Sequence, residues 1–233
     1  MGKLYLIPST IGDTPVEQVI PPYNRLVIQR LRHFIVENER TARRSLIAMG
    51  IECPVHELKF YLLNKHTRKE EIPEFLKAAE LHDLGLLSEA GAPAVADPGS
   101  EVVALAHKKN IDVIPLAGPS SLLMAIMGSG MNGQNFAFVG YLPVHKPERI
   151  RRIRQLEQRS ISEKQSQIFI ETPYRNNQVL DDLLICCAPN TMLCIASDLS
   201  TDTAFLKTRT IEEWINKKPD LNKRPTVFIL HRF

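Results

Sequence analysis

The sequence predicts an α/β protein of two domains, with a mostly parallel sheet in the first and a mixed sheet in the second. Three observations predict it. Short apolar runs alternate with helical patterns through residues 3–127, the signature of parallel strands joined by crossover helices. A glycine-rich stretch, GSGMNGQN at 128–135, breaks that alternation and reads as a linker, dividing the chain into residues 1–130 and 131–233. Beyond it two late apolar runs follow one another with no helical pattern between them, as a hairpin requires.

Each element follows in order. KLYLIP is the first strand, and residues 15–32 form a helix interrupted by the prolines at 21–22. HFIVE is the second strand, and RTARRSLIAM a helix closed by Gly50. HELKFYLL is a strand, EEIPEFLKAAEL a helix and LGLL a strand. SEAGAPAVADPG at 88–99 is longer and stiffer than a plain strand-to-helix connection needs. Asp97 before Pro98 is a helix cap with proline at the first helical position. That helix reaches about Lys109, IDVIPL is the next strand, and SLLMAIMG is the last helix of the first domain. The second domain reads as strand FAFVGYL, helix 147–159, strand QIFIE, helix 174–187, strands MLCIAS and AFLKTRT, helix IEEWINKK and strand TVFILHR.

Composition excludes several classes. Apolar residues are 44% and charged residues 24%, ordinary for a globular protein with a sizeable core. No run approaches the roughly eighteen apolar residues of a membrane span. The N-terminal MGKLYLIPST has too short an apolar run for a secretory leader, so no leader is expected. The four cysteines show no CxxC and no histidine at metal-ligand spacing, so no metal is expected and reduced, buried thiols in a cytoplasmic protein are. Net charge is +3, but residues 1–133 stand at −1 (14 basic, 15 acidic) and residues 134–233 at +4 (15 basic, 11 acidic). A surface facing a polyanion therefore belongs in the second half.

In an open α/β sheet, ligands bind where strands end and helices begin. Three such places are rich in glycine, proline and small residues: PSTIGDTP, SEAGAP and LAGPSS. They suit a ligand recognised through backbone groups. No GxGxxG follows the first strand, and no GxxxxGK[ST], HExxH or GxSxG occurs, which argues against dinucleotide, nucleoside triphosphate, zinc-protease and α/β-hydrolase chemistry.

These segments carry a resemblance. LYLIPSTIGD, FIVENERTARRSL, LLSEAGAPAVADPG, VIPLAGPSSLLMAI, GYLP and IFIETPYR occur in the order and spacing of the tetrapyrrole methylase superfamily. The chain most resembles its branch of small-subunit ribosomal RNA 2′-O-methyltransferases. The resemblance implies S-adenosylmethionine held in a cleft between two α/β domains, a homodimer, and ribosomal RNA as substrate. It places the cofactor against Ile11, Gly12, Gly91, Ala92, Pro93, Val95, Ser120 and Ser121, and against Ile170, Ala196 and Thr226 of the second domain.

A weak hydroxyl nucleophile profits from a base. Glu37 is the preferred candidate because the resemblance also places an acid there; its other role is a cap or an ion pair with Arg40 or Arg43. Glu89 is the second candidate, and Asp97 is assigned to capping. Tyr174 and Arg175 in ETPYR are candidates for substrate contact, as are Lys146, Arg149 and Arg152 on a basic helix that is otherwise a solvated face. The branch's EDTR, SDAGTP, ARELTK and KGE read ENER, SEAGAP, ASDLST and KRPT in this chain. A methyltransferase for a small molecule such as a tetrapyrrole, and a cofactor-binding protein without turnover, therefore stand beside the RNA reading.

Overall fold

The computed structural model describes residues 1–64, 66–68 and 70–233. Among them the chain forms two compact units, Met1–Ser120 and Ser121–Phe233, each built on its own five-stranded sheet.

The first unit runs β1 (Leu4–Ile7), α1 (Val16–Val19), α2 (Pro22–Ile28), β2 (His33–Val36), α3 (Glu39–Ala48), β3 (Lys59–Leu62), α4 (Ile72–Phe75), β4 (Leu84–Leu87), α5 (Gly99–Lys108) and β5 (Val113–Pro115). All strand pairs are parallel, in the order β3-β2-β4-β1-β5. The two prolines divide α1 from α2, and Gly50, at φ 79°, closes α3. The helix expected over EEIPEFLKAAEL is a single α turn that tightens into a 3-10 segment, Leu76–Glu80. Side chains alternate across the pleat. Leu4, Leu6, Leu84 and Leu86 pack with Ile72, Leu76, Val102 and Ala106 on one face. Ile7 and Phe34 pack with Ile20, Ile28, Ala42 and Leu46 on the other. The helices that follow the adjacent strands β1 and β4 thus leave on opposite faces. That arrangement opens a crevice at the carboxyl ends of these two strands.

The second unit runs α6 (Ser121–Ser129), β6 (Phe136–Tyr141), α7 (Lys146–Ser162), β7 (Ser166–Glu171), α8 (Asn176–Cys186), β8 (Met192–Ser197), β9 (Phe205–Thr210), α9 (Ile211–Asn216) and β10 (Thr226–His231). Its sheet is mixed, in the order β6-β7-β10-β8-β9; β6 and β7 are parallel, the other pairs antiparallel, and β8–β9 is the expected hairpin. The helix α6 lies on this sheet: a Cβ on Gly128 would stand 2.5 Å from Leu206, and Thr208 Oγ1 donates to the Ser129 carbonyl at 2.7 Å. The glycine-rich stretch after α6 accordingly joins two elements of the second unit. Phe169, Phe228, Leu193 and Ile195 face α7, α8 and α9, where Trp214 is fully buried with its indole N–H on the Leu193 carbonyl. All four cysteines are free; Cys187 and Cys194 are buried, but Cys53 and Cys186 only half-buried.

Candidate active site

Three loops of the first unit meet at the carboxyl edge of its sheet. Ser9 and Gly91 form a one-residue bridge, with Ser9 N–H on the Gly91 carbonyl at 3.0 Å and Gly91 N–H on the Ser9 carbonyl at 3.1 Å. Ser9 Oγ donates to the Ser88 carbonyl and Ser88 Oγ to the Gly91 carbonyl, each at 2.6 Å. Gly91 has φ 70°, and a Cβ there would stand 3.1 Å from Ile11 and 3.4 Å from the Pro119 carbonyl. Glycine is favoured here by conformation, and any side chain would have to push Ile11 aside by a few tenths of an ångström. Gly118 in turn lies so close to Pro8 that a Cβ would overlap its ring at 2.2 Å. The segments carrying Ile11 and Gly12, Gly91 to Val95, and Pro119 to Ser120 are therefore brought together. Pro93 is buried and Val95 exposed. Ser121 begins α6 of the second unit.

The acidic loop holds itself in shape. Asp97 accepts from Ala94 N–H at 2.9 Å and Gly99 N–H at 2.7 Å, which pins Ala94 and Ala96 in left-handed conformations, φ 63° and 62°. The helix α5 starts at Gly99, one residue later than expected, so Pro98 is the residue before it and Asp97 lies one place further back, its carboxylate accepting from the first helical N–H. Glu37 follows β2, whose last residue, Val36, pairs with Leu87 of β4. Burial, and then the neighbouring charges of Asp97 and Glu89, raise its affinity for a proton above that of an ordinary carboxylate. A hydrogen bond from the Glu89 backbone offsets part of this effect, and the cap and ion-pair roles open to Glu37 are taken by others. Asn38 Oδ1 caps α3, accepting from Arg40 N–H at 2.9 Å and Thr41 N–H at 3.3 Å. Arg43 pairs with Glu39 at 2.5 Å. Thr41, which the sequence did not single out, donates its hydroxyl to Glu89 Oε1 at 2.5 Å. A cavity of about 220 Å³ lies alongside, lined by Ser9, Thr10, Gly12, Asp13, Arg44 and Ser45 among others.

In the second unit β6, β7 and β8 end, and β10 begins, at one edge of the sheet, so GYLP, ETPYR, ASDLST and KRPT gather there. Ile170, Val227 and Ala196 are cross-strand partners in one row. Glu171, Thr226 and Ser197 form the next row, which the pleat turns to the opposite face. Thr226 is thus corrected: it points away from Ile170 and Ala196, and its hydroxyl is engaged by Ser197 Oγ at 2.8 Å and the Arg224 carbonyl at 2.9 Å. Val227 shares their face, and counting alternation along TVFILH from its buried Phe would have found it.

Arg149 is also corrected. It is fully buried, its Nε donating to Asp182 Oδ2 at 2.7 Å and its Nη1 to the Val144 carbonyl at 2.6 Å, so it is closed to a substrate. Lys146 is exposed with Asp182 3.5 Å away, and Arg152 is half-buried on the flank of α7. Tyr174 is exposed. Arg175 precedes α8 rather than lying in its first turn; it stands 2.8 Å from the buried Glu171 carboxylate and donates to the Pro143 carbonyl at 3.3 Å. Among the described residues, no three His, Cys, Asp or Glu side chains gather as a metal ion would need, and no helix is long and apolar enough to cross a membrane.

No protein-family model matches the chain. It is 31% identical over 216 residues to the ribosomal RNA small subunit methyltransferase I of Halalkalibacterium halodurans, covering 92% of this chain and 70% of that protein. The Synechocystis protein of the same name is 30% identical over 200 residues, 86% of this chain and 68% of that one. That of Escherichia coli O157:H7 is 25% identical, covering 98% and 77%. Two solved structures share the fold. The methyltransferase CobJ superposes with a TM-score of 0.63 at 13% identity, covering 100% of this chain and 95% of that chain. The uroporphyrin-III C-methyl transferase of Thermus thermophilus, complexed with S-adenosylhomocysteine, superposes at 0.59 with 18% identity, covering 99% and 98%.

Proposed function

The chain belongs to the ribosomal RNA small subunit methyltransferase I family, and on that premise we propose that it methylates a ribose 2′-hydroxyl of small-subunit ribosomal RNA, with S-adenosylmethionine as donor. The observation that carries the reading is the meeting of three small-residue loops at Gly91, near an acid whose proton affinity is raised by burial. The residues present fit the cofactor, because Gly12, which lines the cavity, and Ala92 are only half-buried and put no long side chain in the way of close approach, while Ser9 holds the backbone of Gly91 in place. Ile11, Gly12, Gly91, Ala92, Pro93, Val95 and Ser120, with Ser121, Ile170 and Ala196, would hold it. The bound sulfonium supplies an activated methyl group.

This chain's residues do the rest. Holding the attacking oxygen in line supplies about 7–11 kcal/mol of barrier reduction in well-oriented systems. Glu37 would take the hydroxyl proton as the new carbon–oxygen bond forms and the donor's methyl carbon–sulfur bond breaks, and its raised proton affinity makes it a stronger proton acceptor than an ordinary carboxylate. Glu89, fixed by Thr41, is one of the charges that keep Glu37 basic. Homodimerisation and a cytoplasmic location belong to the same reading.

The test uses small ribosomal subunits from cells lacking the related methyltransferase and methyl-labelled S-adenosylmethionine. Labelled 2′-O-methylnucleoside is expected after digestion, and Glu37→Gln should lower the rate by about 10²–10⁴ while S-adenosylhomocysteine still binds. Absence of label from folded, cofactor-binding protein, with a related enzyme active in parallel, overturns the RNA reading.

A further inference from the structure

Two tyrosines stand exposed at the edge of the second sheet where its motif loops gather. Tyr141 ends β6 and is 56% exposed; Tyr174 lies in the β7–α8 loop and is 76% exposed. A single exposed aromatic is unremarkable on a protein surface. This pair is set up by specific backbone and side-chain devices.

The pairing of β6 with β7 shifts register between Phe138 and Tyr141, and Gly140 inside the shift has φ 74° with open space where a Cβ would be. A bulge of this kind re-aims the residue that follows it. Tyr141 resumes pairing opposite Ile170, in the row that continues through Val227 to Ala196. Neighbouring strands lie about 4.8 Å apart, so the Tyr141 ring stands one strand from Ile170.

The two loops are also tied together. Arg175 Nη2 and Arg149 Nη1 both donate to the Pro143 carbonyl, at 3.3 and 3.2 Å. Each arginine is held by a buried carboxylate, Glu171 and Asp182 respectively. These contacts fix the loop that follows Tyr141 to the residue that follows Tyr174, and each carboxylate is neutralised by its arginine.

We propose that Tyr141 and Tyr174 are a stacking platform for unpaired bases of the RNA substrate. The inference deepens the methyl-transfer reading and rests on its RNA substrate. Proteins that recognise single-stranded RNA splay its bases onto aromatic rings, and such stacking tolerates any base because every base has a π-face. The site therefore takes single-stranded, unstacked RNA and rejects a duplex.

The test measures binding of a short, labelled single-stranded RNA of mixed sequence, and of its duplex, across a salt series. Tyr141→Ala and Tyr174→Ala are each expected to weaken single-strand binding about tenfold. The slope against salt should not change, since stacking releases no counterions. Tyr141→Phe and Tyr174→Phe keep the ring and should bind as the parent does, and duplex binding should be indifferent to all four changes. Bound S-adenosylhomocysteine and circular dichroism report that each variant is folded. Alanine variants with parental affinity overturn the platform, as does a loss accompanied by a shallower salt slope, which would indicate phosphate contacts. Phenylalanine variants as weak as the alanine ones overturn it in favour of hydroxyl hydrogen bonds. A double alanine variant that turns a dimer into a monomer with RNA affinity intact overturns it in favour of contact between copies. Subunit methylation separates the two levels: a parent that labels no subunits and binds no RNA fails the underlying reading and the platform with it. A parent that labels subunits, with variants equally active and equally tight, fails the platform alone.

Discussion

Glu37 shows how a single residue acquires its chemistry from its neighbours. It is half-buried just after β2, and burial is the largest influence on it, followed by the charges of Asp97 and Glu89. An acid whose proton affinity rises on folding holds its proton more tightly in the folded state. Its contribution to stability is present below the range of the unfolded carboxyl and is lost as pH rises through the folded one. Glu37→Gln, which cannot ionise, is therefore expected to melt above the parent at about pH 8. That gain should vanish by about pH 4, a comparison that thermal midpoints across a pH series will make. That an acid stands at this position was legible in the sequence, because the resemblance places one there. Its freedom from capping was not, since Asn38 and Glu39 had to be seen taking those bonds.

At the scale of the element, α7 carries two kinds of arginine that look alike in the sequence. Arg149, Ile153, Leu156, Glu157 and Ser160 face inward, while Arg151 and Arg154 are exposed. Arg149 and Asp182 form a fully buried pair that joins α7 to α8. Removing Arg149 leaves the buried Asp182 with only the exposed Lys146, 3.5 Å away, so Arg149→Ala should cost about 3 kcal/mol in denaturant unfolding. Arg151→Ala on the same helix should stay within about 0.5 kcal/mol. The basic content and the length of the helix were readable from its pattern. Which arginine it buries was not, because Asp182 lies 33 positions further along the chain.

At the scale of the molecule, each unit has its own sheet and its own apolar cores. Stability is then linked to ligand in a measurable way. S-adenosylhomocysteine at about a hundred times its Kd should stabilise the folded chain by about 2.7 kcal/mol, seen as a rise in Tm that scales with the logarithm of concentration. Gly91→Ala should reduce that rise: it forces a side chain into φ 70° and against Ile11, where the loops meet.

The sequence by itself determined the class of fold, the order of the elements, the turns at Pro21, Gly50 and Asp97, and the small-residue loops of the candidate site. These are local properties, set by periodicity, backbone conformation and capping within a few residues. Only the tertiary structure decided that α6 lies on the second sheet, that Arg149 is sealed against Asp182, and that Thr226 turns away from the row of Ile170 and Ala196. It also decided that Gly140 swings Tyr141 into that row. Each of these depends on register or contact between residues far apart in the chain, and a strand's facing changes with a shift of one residue.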